Sequence, residues 1–329
     1  MSSQRAPIPA ALSVGRAVAA PVRATRESGR EMTLVGRYGH PGGQDRLAVL
    51  ALVAAGTLWG TSFLFGKLAL RELGPAHLTL LRFAIASLVL LPVAFVQRVY
   101  PRRRDLPVFA LAGVLNVPAT FLVQFVGLRL TSASVAALIV GAVPPMIAVA
   151  ARLFLGERLS RLGWAAVGVS SAGVALTVTQ PGAGNNWAGD ALVFASLLAV
   201  VGWVLLGRRL TQVYPSVSAT AYILAFGTLA TAPLALLMEG PPHLNMSGGA
   251  WAAVLALGLG CSAATTALWN WGLRSVPAGR ASVYLNLEPL VGALLGVVVL
   301  GQGLSAITVL GGVLILGAAV AVSRQRTRE

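Results

Sequence analysis

Glu288 is the only acidic residue placed well inside one of the long apolar runs of this chain. A charge at a bilayer centre costs about 2.5–3.5 kcal/mol on insertion scales, so a retained one is a candidate for function. Arg280, Tyr284 and Glu288 follow one another at a spacing of four, which puts them on one helical face. A carboxylate in that setting can take up a proton or hold a cationic group of a substrate. A structural acid, hydrogen-bonded beside Pro289 where the helix ladder is broken, accounts for the same residue equally well.

Other polar and aromatic residues recur at helical spacing. Asn116, Thr120 and Gln124 share one face, as do Trp59, Phe63 and Lys67, and a later run carries Thr265, Trp269 and Asn270. Polar side chains on one face of a membrane helix line a cavity or tie helices together. Trp59 can stack on a substrate or simply pack. Lys67 reads as a cation that snorkels outward, and Arg82 reads the same way, with a salt bridge to Glu72 as its alternative. Pro144, Pro145 and Pro289 each remove a backbone donor within a helix. They read as bending points for gating or as static kinks. Gly56-x-x-x-Gly60 and Gly292-x-x-x-Gly296 permit close helix approach, within the bundle first and in a homodimer second.

Several chemistries find no support. The three histidines are scattered without metal spacing, and Cys261 is the single cysteine, so neither a metal site nor an internal disulfide is expected. No phosphate-binding loop and no nucleophile–base pair is visible, which argues against an ATP-driven pump, an enzyme or a bound cofactor. A membrane enzyme would want clustered acids or histidines near one surface, and the acids here are few and dispersed.

The elements that must carry these residues are membrane helices. Hydrophobic residues make up 56% of the 329, and charged residues 11%, against roughly 25% in soluble domains. Runs of the ~20 apolar residues that span a bilayer fall near 47–69, 78–97, 106–128, 132–154, 161–179, 188–207, 217–238, 249–272, 280–300 and 304–322. The expected fold is all-α and integral to the membrane, with ten transmembrane helices. Residues 1–46 read as a disordered basic cytoplasmic tail, within which Met32 is an alternative start, and 323–329 as a short basic tail. With the N-terminus inside, 21 of the 25 Lys and Arg residues fall on the cytoplasmic side and 4 outside. The net charge of +15 is therefore a topology signal with both termini cytoplasmic, and not a nucleic-acid footprint.

The chain also aligns with itself at a shift of 145. GLR at 127–129 meets GLR at 272–274, Pro144 meets Pro289, and LGERLS at 155–160 meets LGQGLS at 300–305. Five helices cross an odd number of times, so the second unit (188–322) runs inverted to the first (47–179). Inverted repeats are typical of secondary transporters, with the binding site near the midplane between them.

The stretch AALIVGAVPPMIAVAARLFLGERLSRLGWAAVGVSSAGV at 136–174 resembles the signature of the EamA family of the drug/metabolite transporter superfamily. So do TLWGTSFLFGKLAL at 57–70, LTLLRFAIASLVLLP at 78–92 and YLNLEPLVGALLGVVVLGQGLS at 284–305. The likeness covers about 47–322. Gln302 departs from it, standing where the family often has Glu, with an effect expected on loop packing. The resemblance implies an inner-membrane carrier that exports amino acids, other metabolites or toxic compounds by alternating access. Glu288 is then the candidate for proton or substrate binding, and Tyr284, Trp59, Asn116, Gln124, Trp269 and Asn270 are the candidate cavity contacts. An uncoupled facilitator or an importer of the same substrates fits the same residues.

Overall fold

A computed structural model describes residues 44–155, 160–178, 186–242, 244–276 and 281–325. The expected basic tail at 1–43, Arg280 and most of the LGERLS stretch lie outside them. Every regular element among the described residues is helical, and ten segments follow in order. They are α1 (Gln44–Ala69), α2 (Pro75–Val96), α3 (Arg103–Leu130), α4 (Ala133–Phe154) and α5 (Arg161–Val178). The second set is α6 (Trp187–Thr211), α7 (Ser216–Glu239), α8 (Gly248–Gly272), α9 (Tyr284–Val298) and α10 (Ala306–Gln325). Seven of them, α1–α4 and α6–α8, are long and apolar enough to cross a bilayer, and two shorter apolar helices lie at 284–298 and 306–321.

Packing reveals the repeat more directly than the sequence does. The main helix pairs are α2 with α7, α4 with α9 and α5 with α10. To these are added α1–α9 with α6–α4, α8–α1 with α3–α6, and α3–α7 with α8–α2. Exchanging each helix for the one five places away maps this set onto itself. Odd-numbered helices all run from the end of the bundle where α1 begins, here called the near end, to the far end; even-numbered helices return.

Irregularities recur in pairs too. Pro92 and Pro233 are each the eighteenth residue of α2 and α7. Both α3 and α8 contain a π segment, Val117–Leu122 and Ala256–Ala264. In α3 the widened turn holds Pro118, which has no N–H to give, and Thr120 Oγ1 donates to the carbonyl of Leu115 five residues back at 2.7 Å. α4 is interrupted at Gly141–Ala142, and the matching stretch before the α-helical part of α9 is a 3-10 turn, Ser282–Asn286.

These breaks change the reading of the prolines. Pro144 and Pro145 lie in the first turn of Val143–Leu155, and Pro289 in the first turn of Leu287–Val298. A missing N–H costs little there, because first-turn donors have no intrahelical partner. The prolines stand where helices restart and do not kink continuous ones. The 3-10 turn also alters the phase between Tyr284 and Glu288, so the simple spacing of four does not hold across it.

Candidate substrate and proton site

Three helices, α1, α8 and α9, bring some of the expected residues together. Trp59 of α1 and Trp269 of α8 stack at 5.2 Å between ring centroids, inclined by 52°. Tyr284 and Trp269 pack on one apolar cluster built from Ala48, Leu52, Val276 and Ala281. One turn further along, Glu288 is partly covered, and its side chain makes no hydrogen bond to another described residue. Asn116 and Gln124 flank the π segment of α3, with 5% and 8% of their surface exposed. Asn270 Nδ2 donates to the carbonyl of Thr266 on its own helix at 2.8 Å, so part of its amide serves the helix. The structure thus brings Trp59 to Trp269 and Trp269 to Tyr284, while the backbone of Glu288 packs on α1 at Gly60. It gives Asn116 and Gln124 buried places on α3 without a described contact to that group.

The residue that sequence reasoning misplaced is Arg82. It does not snorkel: only 2% of it is exposed. Glu72 does not pair with it either, because that carboxylate accepts from Ser247 N and Oγ at 2.8 and 2.5 Å. Arg82 Nε donates to Ser262 Oγ at 2.9 Å, and a terminal nitrogen stands 3.5 Å from the carbonyl of Cys261. Its guanidinium carbon lies 5.0, 4.6 and 5.7 Å from the ring centroids of Phe83, Phe121 and Phe125. Cation–π attraction of this kind is worth about 0.5–2 kcal/mol per site. Phe121 comes from the π segment of α3, and Cys261 and Ser262 from the π segment of α8. Both widened turns, one from each repeat, therefore converge on this cation. Among the described residues no carboxylate oxygen lies within 4.0 Å of it. Cys261 also meets Thr61 Oγ1 at 3.3 Å.

Polar ties close the far end. Glu239 ends α7 and receives Ala76 N and His77 N at 2.8 and 2.9 Å, capping the open N-terminus of α2. Lys67 Nζ donates to the carbonyls of Leu128 and Thr131 at 2.7 and 2.5 Å, where the last carbonyls of α3 favour a cation. Thr131 Oγ1 donates to the fully buried Asp190 at 2.5 Å. Gln302 Oε1 accepts from Ser134 N and Oγ at 3.0 and 3.1 Å, which fixes the α9–α10 connection against the first turn of α4. At the near end the described ties join the 97–105 connection to 214–222: Tyr214 to Asp105, Ser218 to Gln97 and Tyr222 to the carbonyl of Val99.

Access is asymmetric as well. On one side of the centre α1 and α9 touch backbone to backbone. A Cβ at Gly60 would stand 2.6 Å from Val291 Cβ and 2.8 Å from the carbonyl of Glu288. Gly56 and Gly292 complete the stripe, so both small-residue motifs serve packing inside the bundle. Beside the counterpart pair, α4 and α6, lies a cavity of about 720 Å³ lined by α4, α5 and α6, which reaches from Ala142 and Phe194 to Phe154 and Arg209 at the near end. Among the described residues no cluster of three His, Cys, Asp or Glu side chains could hold a metal.

Comparison with known proteins fits this architecture. The EamA-like transporter family matches twice, at residues 46–179 and 187–324. An uncharacterized transporter of Archaeoglobus fulgidus is 28% identical over 80% of this chain and 93% of its own. The uncharacterized inner membrane transporter YicL of Salmonella typhimurium is 26% identical over 87% of this chain and 98% of its own. A probable terminal-alkyne amino-acid exporter of Streptantibioticus cattleyicolor is 27% identical over 86% and 96%. A solved crystal structure superposes with a TM-score of 0.62 over 85% of this chain and 98% of its own, at 24% identity, and shares the fold. With both matches together spanning nearly all of the described helices, the chain is a multi-pass membrane protein that belongs to the EamA-like transporter family.

Proposed function

We propose that this protein is a secondary transporter that exports small metabolites, amino acids or toxic compounds by alternating access, with Glu288 taking up the proton that returns. The observation that carries this reading is Glu288 itself. It is an ionisable group at the junction of the two repeats, only partly covered, on the turn of α9 that packs against Gly60 of α1, with no hydrogen bond to another described side chain. Inverted-repeat carriers place coupling groups at such junctions. The sealed α1–α9 contact and the cavity beside α4 and α6 support a state open toward the near end. The bias of arginines supports assigning that end to the cytoplasm, with both termini there. The amino-acid exporter among the relatives supports an amino-acid-like cargo.

Reconstitution into proteoliposomes tests the reading. Flux of L-amino acids driven by a pH gradient should fall at least tenfold in Glu288→Gln, while exchange of substrate for substrate persists. Full gradient-driven flux in Glu288→Gln removes the proton role and leaves an uncoupled facilitator.

A further inference from the structure

We infer that Arg82 is a substrate-binding residue that takes a carboxylate, so that the cargo is an anion or a zwitterion. The inference deepens the transport reading and rests on it. Arg82 is a cation with 2% of its surface exposed, turned into the protein among α2, α3 and α8. A guanidinium has five N–H donors in a fixed fork, suited to two parallel bonds with a carboxylate. Here Nε serves Ser262, and the terminal nitrogens have one contact, at 3.5 Å to Cys261. The remaining donors face the aromatic side chains of Phe83, Phe121 and Phe125. A charge buried with so little direct compensation is costly. A purely structural arginine would be held by a carboxylate in contact, and among the described residues none comes within 4.0 Å.

The surroundings also point to a ligand. The guanidinium is bounded by the two π segments, and π turns inside α-helices gather at functional sites. Ser262 orients the fork from one side, and Phe121 covers it from the other. A ligand that brings its own carboxylate supplies the partner that the guanidinium lacks among the described residues. The tryptophan pair Trp59–Trp269 and the phenylalanines offer an apolar wall for the rest of the cargo.

Binding to the purified full chain in lipid nanodiscs tests this. The probes are L-leucine, L-valine and L-phenylalanine, each beside its amide and its deaminated acid. The wild type should bind an amino acid or the deaminated acid at least tenfold more tightly than the amide. Arg82→Gln should erase that preference, and Arg82→Lys should restore part of it. Equal binding of amide and amino acid by the wild type overturns the inference and leaves the transport reading in place. Loss of all binding in Arg82→Gln and Arg82→Lys alike, with a lowered melting temperature, assigns Arg82 to structure and overturns it too. Failure of the whole panel with the wild type overturns the carboxylate site together with the amino-acid form of the proposed function, whereas the proton-coupled flux of Glu288 is measured separately.

Discussion

The contact between α1 and α9 and the contact between α6 and α4 are built from equivalent helices, yet one is closed and the other is open. Glycines make the difference. Gly56 and Gly60 bring α1 onto the backbone of α9. The positions 144 residues later, in α6, are Val200 and Val204, and the α9 residue Val291 corresponds to Met146 in α4. No glycine stripe joins α6 to α4 at these positions, and a cavity with Met146 on its wall opens beside them. Here the fold sets the common frame, and the two halves fill it with different side chains. For a carrier the opposite state must invert this, with α4 and α6 closing as α1 and α9 separate.

The largest effect is expected from a wedge in the closed contact. Gly60→Leu forces a side chain into backbone 2.8 Å away, and overpacking of this kind costs about 1–3 kcal/mol. Transport should be lost and the melting temperature should fall; an unchanged melting temperature would mean that the closed contact does not define the ground state. Labelling of equivalent positions measures the asymmetry itself. Cys261 is the only native cysteine and is 1% exposed, so its background is low. Met146→Cys should react with a small maleimide at least tenfold faster than Val291→Cys, and equal rates would erase the comparison.

A smaller change is expected on the open side. A Cβ at Gly202 would meet only Leu115, at 3.2 Å. Gly202→Ala should leave stability unchanged or raise it, because alanine favours a helix by up to about 1 kcal/mol over glycine. Flux should fall by roughly twofold to fivefold, the factor that ~0.4–1 kcal/mol produces, as closure of α4 on α6 meets an added methyl. The least effect belongs to the far-end cap at Glu72. Hydrogen bonds from Ser247 hold its carboxyl below the ordinary value of 4.5. Its contribution to stability is complete above that value and is lost as pH falls through the lower, folded one. Glu72→Gln should therefore flatten a slight decline in melting temperature below about pH 4.

Much of this was legible in the sequence. The apolar runs and the 145-residue shift both survive in the structure, because bilayer thickness dictates run length and the repeat conserves helix positions. Trp59, Trp269 and Tyr284 could be proposed for the centre from helical spacing, since each lies on a regular helix or at its edge. Arg82 could not. A cation seven residues inside a helix looks like one that reaches outward, and what keeps it inside is remote: Ser262 lies 180 residues on, in another repeat. The matched π segments were equally hidden, because a widened turn carries no hydrophobic period of its own. The breaks beside the prolines were hidden as well, since the interruption at Gly141–Ala142, just ahead of Pro144, is invisible to run length.

Those two π segments carry slack. A π turn holds one residue more than the α turn it replaces. If that surplus moves along α3 or α8, the residues it passes advance by about 1.5 Å and turn by about 100°. Each helix then has a one-step ratchet set against Arg82, able to re-aim a side chain while the helix ends, pinned by Lys67 on α3 and by Glu72 on α8, stay where they are.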